Sequence, residues 1–414
     1  TAHVGGTTAW SAGTTWVPGT HHAPRVNPAD NAAEVARYLD HAVGDHADPA
    51  LRRAFVAHGP QAVADVEART EVKYRPYPKH PDYISDLPGS TLNGRALEPL
   101  PFDGRLLGEL FRLVRPPIPE FTVLGGMMVD RTDINHLLGM TGSWASFRHS
   151  ASIIGRHLMD RLSHPRGTRL VMGNALVGRL LLSLSRQDGV TLALNTSVEA
   201  IGREGDAVRS VTLGMGATRR HITVRGGVIL ASGGFNRHPT RRAEMLPGIP
   251  AEWSPAAPGH TGRAHDLALA IGARYATGGL SNAFWAPVSL RKRADGSQAV
   301  FPHFVMDRAK PGMITVDAQG RRFLNESTSY HLFGLAMQAA HARTPSIPAY
   351  LICDAEALRK YGIGMVRPGG KGLAPFLADG YLVQGRTLQE LATRLNIDPA
   401  GLAGIGMFHD VVHR

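Results

Sequence analysis

Hydrophobic residues recur along this chain at spacings that predict helices in several stretches. Between residues 31 and 68 the apolar positions follow helical spacing, and Pro28 precedes them, so one or two helices are expected there. The same spacing predicts an amphipathic helix over 174–185. Two further helices are predicted over 264–271 and 333–342.

Short apolar runs rich in β-branched residues predict strands in the middle of the chain. These runs cover 190–194, 197–201, 208–213 with 222–224 as a hairpin, and 228–231. The last run ends with Ala231 and is followed by the pair Gly233 and Gly234. Glycines after a strand let the main chain come close to a bulky ligand, because no Cβ stands in the way.

The composition of the sequence changes at about residue 239. From there to about residue 380 it contains many Pro and Gly loops, which indicates a second domain inserted into the first. A chain of 414 residues also exceeds what one hydrophobic core usually holds. We therefore expect a first domain over 1–238, an inserted domain over 239–380, and a return towards the first domain in 381–414.

Composition excludes several classes of protein. The net charge is +11, but the basic residues are scattered and aromatic residues make up only 7%, which argues against nucleic-acid binding. No apolar run reaches the roughly 18–20 residues that span a bilayer. The single Cys353 excludes an internal disulfide and favours a cytoplasmic location. The 20 histidines show no metal-binding spacing such as His-Glu-x-x-His, so no metal site is predicted.

The segment over 4–18, which reads VGGTTAWSAGTTWVP, is the first of four that together resemble a known family. It resembles the GGTTAxSGGxxWxP segment of the flavoproteins that include 3-oxosteroid dehydrogenases, fumarate reductases and succinate dehydrogenase flavoprotein subunits. The resemblance implies that small residues and main-chain N–H groups here hold the FAD pyrophosphate and flavin. The implied cofactor-binding residues are Gly5, Gly6, Thr7, Thr8, Ser11, Ala12 and Gly13, and Ala12 stands where glycine is usual.

Other segments resemble the same family in the expected order along the chain. The stretch 173–201 is similar to a helix–strand unit in which Val198 would contact the adenosine end of FAD, and 228–235 would bring Ala231, Gly233 and Gly234 to the cofactor. The stretch 258–273 is similar to a TGDG helix, with Arg263 in place of the usual acid, and 313–334 is similar to a GxRFxNE element. The resemblance implies an α/β fold, a two-dinucleotide-binding-type (glutathione-reductase-like) FAD domain with an inserted α+β capping domain.

Position 330 separates the branches of this family. The fumarate reductase branch has an arginine there that clamps a dicarboxylate. This chain has Tyr330, in a stretch similar to the NESxPYxxFG pattern of 3-oxosteroid 1-dehydrogenases. A tyrosine can remove a proton from the carbon beside a ketone if its surroundings assist it. Tyr330 is therefore the expected base, and a ring that only packs in the capping domain is the alternative.

The stretch 74–101 is rich in Pro, Tyr and Gly and is predicted to be a loop. Within it, 74–83 followed by Leu-Pro-Gly-Ser at 87–90 is similar to the DYxPxxPGG segment of the 3-oxosteroid dehydrogenases, in which a tyrosine lies beside the steroid A ring. Tyr83 is the expected counterpart, with a supporting role for the base; Tyr77 and an ordinary surface tyrosine are the alternatives. The family's first strand with G-x-G-x-x-G, and its return to the FAD domain, would lie outside the chain. The sequence therefore suggests a fragment of a longer reading frame.

The reaction that the resemblance implies is FAD-dependent 1,2-desaturation of a 3-oxosteroid or another cyclic ketone. Tyr330 would take a proton from C2, and FAD N5 would take a hydride from C1. One alternative is different chemistry in the same family, a 4-ene 3-oxosteroid dehydrogenase or a fumarate-type enoate reductase. Another is an inactive fragment that binds no flavin. The sequence does not specify the electron acceptor.

Overall fold

The computed structural model describes residues 1–77, 79–276 and 279–412. These residues form two compact units. The first contains Thr1–Ala251 and Ala256–Leu280, and the second contains Glu252–Pro255 and Ser281–Arg414. Most of the second unit therefore lies well beyond the change in composition at about residue 239. The two helices after that point, Pro239–Met245 and Arg263–Ala270, belong to the first unit.

Five of the seven α-helices of the first unit begin where a polar side chain accepts a hydrogen bond from a free main-chain N–H, and the helices at Met172–Ser185 and Arg263–Ala270 have no such cap. Asn31 accepts hydrogen bonds from two main-chain N–H groups at the start of the first helix, and Asp130 forms a capping box with Asp133. The helices are α1 Ala32–Val43, α2 Pro49–Arg69, α3 Arg131–Leu138, α4 Trp144–Asp160, α5 Met172–Ser185, α6 Pro239–Met245 and α7 Arg263–Ala270. The predicted helices over 31–68, 174–185 and 264–271 are confirmed.

The strands of the first unit pair in small antiparallel sheets. They are β1 Thr15–Trp16, β2 Tyr74–Pro76, β3 Ala96–Pro99, β4 Phe102–Asp103, β5 Thr122–Val123, β6 Met127–Met128, β7 Arg169–Leu170, β8 Ser197–Glu204, β9 Ala207–Met215 and β10 Thr218–Thr223. One sheet has the order β1-β3-β2 and another has the order β10-β9-β8. The pairs β4–β7 and β5–β6 complete the set. The predicted hairpin of β9 and β10 is confirmed, with Thr218 opposite Met215.

Two strand predictions are wrong in this structure. Neither 190–194 nor 228–231 is assigned as a strand, and the stretch 74–101 contains β2 and β3 instead of being a continuous loop. A strand requires hydrogen bonds to a neighbouring strand, and none of the strands in the described part of the chain pairs with either segment. Their apolar side chains are correspondingly open, with Ile229 93% exposed and Val190 49% exposed.

The main core of the first unit surrounds α5. Buried residues from this helix meet residues from a 3₁₀ helix at Thr8–Trp10 and from a longer 3₁₀ segment at Gly104–Leu113. The buried members of this core are Ala9, Phe102, Leu107, Phe111, Val114, Met128, Leu170, Val171, Ala175, Val177, Leu181 and Leu182. The glycine-rich segment 5–13 is therefore built onto the most hydrophobic helix of the unit.

The second unit combines two strand pairs with six helices in its described part. Its elements are β11 Val288–Lys292, β12 Gln298–Pro302, α8 Val305–Arg308, β13 Met313–Val316, α9 Tyr330–His341, β14 Tyr350–Cys353, α10 Ala355–Tyr361, α11 Ala374–Ala378, α12 Leu388–Leu395 and α13 Pro399–Val412. Strand β11 pairs with β12 and β13 with β14, both antiparallel. The core joins β13 and β14 to α12 and α13 through Val316, Ile352, Ala392, Ile397 and Leu402. The predicted helix over 333–342 is confirmed, although α9 begins three residues earlier.

None of the helices in the described residues is long and apolar enough to span a membrane.

Candidate active site

The N-terminus of α5 holds the segment 5–13 in place. The N–H of Gly173 donates to the carbonyl oxygen of Ser11 at 3.0 Å, and the buried amide of Asn174 donates to the carbonyl oxygen of Ala9 at 2.6 Å. A Cβ at position 173 would lie 1.8 Å from the carbonyl oxygen of Thr8. Only glycine allows this approach, so the contact between helix and segment depends on Gly173.

The segment presents main-chain N–H groups and hydroxyls. Within the described residues, the N–H groups of Gly6 and Thr7 donate to no protein acceptor. The hydroxyl of Ser11 donates to the carbonyl oxygen of Thr8 at 2.8 Å and accepts from the N–H of Gly13 at 3.0 Å, which fixes the turn. Ala12 is exposed. Free N–H groups at the start of a helical turn suit a phosphate, so these residues fit the pyrophosphate of a dinucleotide cofactor.

His260 connects this segment to the glycine pair at 233 and 234. Its Nε2 lies 2.9 Å from the hydroxyl oxygen of Thr7, which also accepts the N–H of Ala257 at 3.0 Å. A Cβ at Gly233 would lie 2.6 Å from the same Nε2. Burial lowers the pKa of His260, and the nearby charge of Arg237 lowers it further. The ring is therefore neutral at physiological pH.

Helix α7 connects the glycine pair to β8. The ring of His265 contacts the carbonyl oxygen of Gly233 at 3.0 Å, and the guanidinium of Arg263 donates to the carbonyl oxygen of Val198 at 3.1 Å. Val198 lies on β8 with a side chain 37% exposed. Ala231 is exposed, two residues before Gly233. His260, His265 and Arg263 thus link three of the predicted cofactor residues, Thr7, Gly233 and Val198, within one unit. The sequence analysis did not identify His260.

Tyr83 lies beside a buried ion cluster. The carboxylate of its neighbour Asp82 accepts the indole N–H of Trp16 at 2.7 Å and the guanidinium of Arg95 at 2.8 Å. Arg95 also donates to both carboxylate oxygens of Asp30, at 2.9 and 2.6 Å. Burial lowers the pKa of Arg95, but the bonds to the two carboxylates outweigh burial and raise it. Through Asp82, the cluster links the residue before Tyr83 to Trp16 of the segment 4–18.

The two candidate tyrosines of this loop differ in exposure. Tyr83 is 45% exposed. Tyr77 is half-buried, its ring lies 5.9 Å below the guanidinium of Arg131, and burial together with the charge of Glu98 raises the pKa of its hydroxyl. Of the two tyrosines, Tyr83 is therefore the more exposed to solvent.

Tyr330 is the first residue of α9, in the second unit. Ser329 caps this helix by accepting the N–H of Leu332 at 3.4 Å. The ring of Tyr330 packs edge-on against Phe284 and Phe304, with ring centres 5.4 and 6.1 Å apart. Tyr330 itself is half-buried, and it lies in the first turn of α9, where the helix dipole favours negative charge.

Buried charges hold the turn that leads to Tyr330. The guanidinium of Arg308, which is 1% exposed, donates to the carbonyl oxygens of Glu326 and Thr328, the latter at 2.7 Å. The carboxylate of Glu326 accepts the N–H of Thr315 at 2.8 Å and forms an ion pair with Arg322. Burial lowers the pKa of Arg308 to about 10. These contacts of Glu326 therefore fix the turn that leads to Tyr330, four residues further along the chain.

Comparison with known proteins identifies the family of this chain. The chain matches the model of the FAD binding domain family over residues 1–406. It is 36% identical over 405 residues to a 4-oxocyclohex-2-ene-1-carboxylate 5-dehydrogenase of Sinomonas cyclohexanicum, covering 97% of this chain and 68% of that protein. It is 30% identical over 408 residues to a 3-oxosteroid 1-dehydrogenase of Mycolicibacterium smegmatis, covering 95% and 69%.

A solved structure shows the same fold. The crystal structure of a 3-ketosteroid Δ1-dehydrogenase from Sterolibacterium denitrificans, in complex with 1,4-androstadiene-3,17-dione, superposes with a TM-score of 0.82 at 29% identity. The match covers 98% of this chain and 72% of that one. The chain therefore belongs to the FAD binding domain family. Within it, the chain is an FAD-dependent dehydrogenase of the 3-ketosteroid dehydrogenase type, and its cofactor is FAD.

Proposed function

We propose that this enzyme introduces a double bond next to the carbonyl group of a six-membered cyclic ketone, with 1,2-desaturation of a 3-oxosteroid as the leading reaction. The observation that carries the proposal is Tyr330 at the first turn of α9, between Phe284 and Phe304. The names of two relatives support the substrate class, because one acts on a 3-oxosteroid and the other on a 4-oxocyclohexene carboxylate.

In this proposal Tyr330 takes the proton from C2, the carbon beside the carbonyl. The C2–H electron pair becomes the new C1=C2 bond as hydride leaves C1. FAD, when bound, supplies the hydride acceptor at N5. Tyr83 is proposed as a second tyrosine that contacts the substrate ring and supports proton removal. General-base assistance of this kind contributes about 10²–10⁴-fold to a rate.

Cofactor binding is proposed for a defined set of residues in the first unit. The free N–H groups of Gly6 and Thr7 would bind the pyrophosphate, and Val198 would contact the adenosine end. The remaining proposed contacts are Gly5, Thr8, Ser11, Ala12, Gly13, Ala231, Gly233 and Gly234. We also propose that the first unit is the FAD domain of the two-dinucleotide-binding type and the second unit the capping domain. The helices α12 and α13 belong to the second unit, which supports placing 381–412 with the capping domain.

The Tyr330→Phe variant tests the proposal. It keeps the ring packing and removes only the hydroxyl. We expect kcat for dye reduction with a 3-oxosteroid or with 4-oxocyclohexanecarboxylate to fall at least about 100-fold, with the flavin spectrum unchanged. Tyr361→Phe is the matched control: it lies in the same unit, where its ring contacts Lys310 and Lys360, and we expect its activity to equal that of the wild type. Retention of more than about a tenth of kcat by Tyr330→Phe would remove Tyr330 as the base.

The position of the product double bond separates the remaining alternatives. Proton NMR of the product would show a 1,2-double bond in our proposal and a 4,5-double bond for a 4-ene 3-oxosteroid dehydrogenase. A fumarate-type reductase would instead oxidise reduced viologen with fumarate, and Tyr330 disfavours this reaction because it offers no permanent charge to a dicarboxylate. A preparation that retains no flavin would support the inactive alternative.

A further inference from the structure

Two adjacent histidines meet one glutamate in the first unit, away from the proposed flavin and substrate residues. His21 and His22 follow β1, and Glu67 lies in the last turn of α2. The Nε2 atoms of His21 and His22 lie 3.1 and 2.9 Å from the same carboxylate oxygen, Oε2 of Glu67. The two imidazole rings are 4.0 Å apart between centres. Within the residues that the structure describes, this is the one group of three such ligands.

The carboxylate is oriented by main-chain contacts. Its other oxygen, Oε1, accepts the N–H of Tyr74 at 2.8 Å, so Oε2 is turned towards the imidazoles. The ammonium of Lys73 hydrogen-bonds the main-chain carbonyl of Glu67 and leaves Oε2 free of a lysine partner.

The three candidate ligands differ in solvent exposure. The side chain of His22 is 6% exposed and that of Glu67 is 12% exposed, whereas the side chain of His21 is 49% exposed. Two imidazoles and one carboxylate form a common open site for Zn²⁺, with metal–ligand distances of about 2.0–2.2 Å and solvent in the fourth position. Tetrahedral ligand atoms at such distances lie about 3.3 Å apart. The observed separations of 3.1 and 2.9 Å need to open by only a few tenths of an ångström.

We propose that His21 Nε2, His22 Nε2 and Glu67 Oε2 bind one divalent transition-metal ion of the zinc type. The ion joins the chain that follows Trp16 to the C-terminal turn of α2. Its role is structural, because it fastens the segment after β1 to the helix that precedes β2. The site has no short-range sequence signature, since Glu67 lies 45 residues from His22.

Isothermal titration of the metal-depleted, flavin-loaded protein with Zn²⁺ tests the proposal. We expect one equivalent to bind. His21→Ala removes the exposed ligand without opening the core, and Glu67→Gln preserves the size of the side chain. Each variant should weaken Zn²⁺ binding at least about 10-fold, since losing even an outer partner of a metal ligand has that effect. His58→Ala is the matched control: His58 is exposed on the same helix, and its variant should bind Zn²⁺ as the wild type does.

Thermal unfolding provides a second readout, since an ion that binds only the folded state raises the midpoint. We expect Zn²⁺ to raise the midpoint of the wild type and of His58→Ala but not of His21→Ala. The proposal is overturned if no site binds Zn²⁺ more tightly than about 100 µM, far weaker than structural zinc sites. It is also overturned if His21→Ala and Glu67→Gln bind as the wild type does, because the ion would then sit on other histidines. In that case the three groups form only hydrogen bonds.

Discussion

The segment 5–13 and the turn before Tyr330 are positioned by different kinds of contact. Residues 5–13 are held by uncharged groups, which are the main-chain N–H of Gly173 and the side chains of Asn174 and His260. The turn before Tyr330 is held by buried charges, with Arg308 and Glu326 satisfying main-chain groups. The uncharged contacts leave the N–H groups of Gly6 and Thr7 without an acceptor among the described residues, whereas the charged side chains fix the turn that leads to Tyr330. The proposed cofactor site and the proposed base therefore depend on different kinds of residue.

The largest expected effect comes from Gly173→Ala. The added Cβ would lie 1.8 Å from the carbonyl oxygen of Thr8, so the segment 5–13 has to move away from α5. We expect FAD affinity to fall at least about 100-fold, measured by retention of flavin after desalting, with unfolding easier by about 1–3 kcal/mol. Gly155→Ala is the matched control in α4, where nothing lies within 4 Å of an added Cβ. That variant should keep its flavin and gain about 0.5–1 kcal/mol from helix propensity.

The next largest effect is expected from Arg308→Met, which should slow the reaction without changing flavin binding. The variant leaves the buried carbonyl oxygens of Glu326 and Thr328 without donors, each at a cost of about 1–3 kcal/mol. We expect kcat to fall about 10-fold while flavin binding stays unchanged, as seen by steady-state kinetics alongside the visible spectrum. Arg321→Met changes an exposed arginine of the same unit, between β13 and α9, and should have no effect on kcat. Loss of flavin from Arg308→Met would contradict the prediction that the turn before Tyr330 affects the reaction and not flavin binding.

The smallest effect concerns pH and His260. The folded protein disfavours the imidazolium, because burial and then the charge of Arg237 lower the pKa of His260. The unfolded chain takes up a proton at about pH 6.5, so the folded state loses stability as pH falls through that value. Wild-type protein should release flavin more readily at about pH 5.5 than at about pH 7.5.

His260→Gln should show a smaller difference between these two pH values, and His58→Gln, a change at an exposed histidine, should behave as the wild type. Flavin release is followed by fluorescence. An unchanged pH response in His260→Gln would show that another group controls it.

The sequence predicted elements whose stability is local. Helix α5 and the hairpin of β9 and β10 follow from spacing within a few residues, and the structure contains both. The segments 190–194 and 228–231 have strand-like composition, yet neither is a strand here, since a strand depends on a neighbour elsewhere in the chain.

The same limit applies to the site residues. The glycines of 5–13 carry a recognisable pattern, whereas His260 does not, because its partner Thr7 lies 253 residues away. The buried cluster of Arg95, Asp30 and Asp82 was likewise missed, since its members are far apart in sequence. Residue spacing reveals contacts within an element and does not reveal pairs that only the fold brings together.

Anaerobic mixing of the flavin-loaded protein with a 3-oxosteroid or with 4-oxocyclohexanecarboxylate, followed by the visible flavin absorbance, tests the central claim most directly. Our account predicts that at least one of these ketones bleaches the flavin of the wild type in a single turnover. It also predicts that Tyr330→Phe, with the same initial spectrum, bleaches at least about 100-fold more slowly. A protein that holds no flavin, or a Tyr330→Phe variant that bleaches as fast as the wild type, would contradict it.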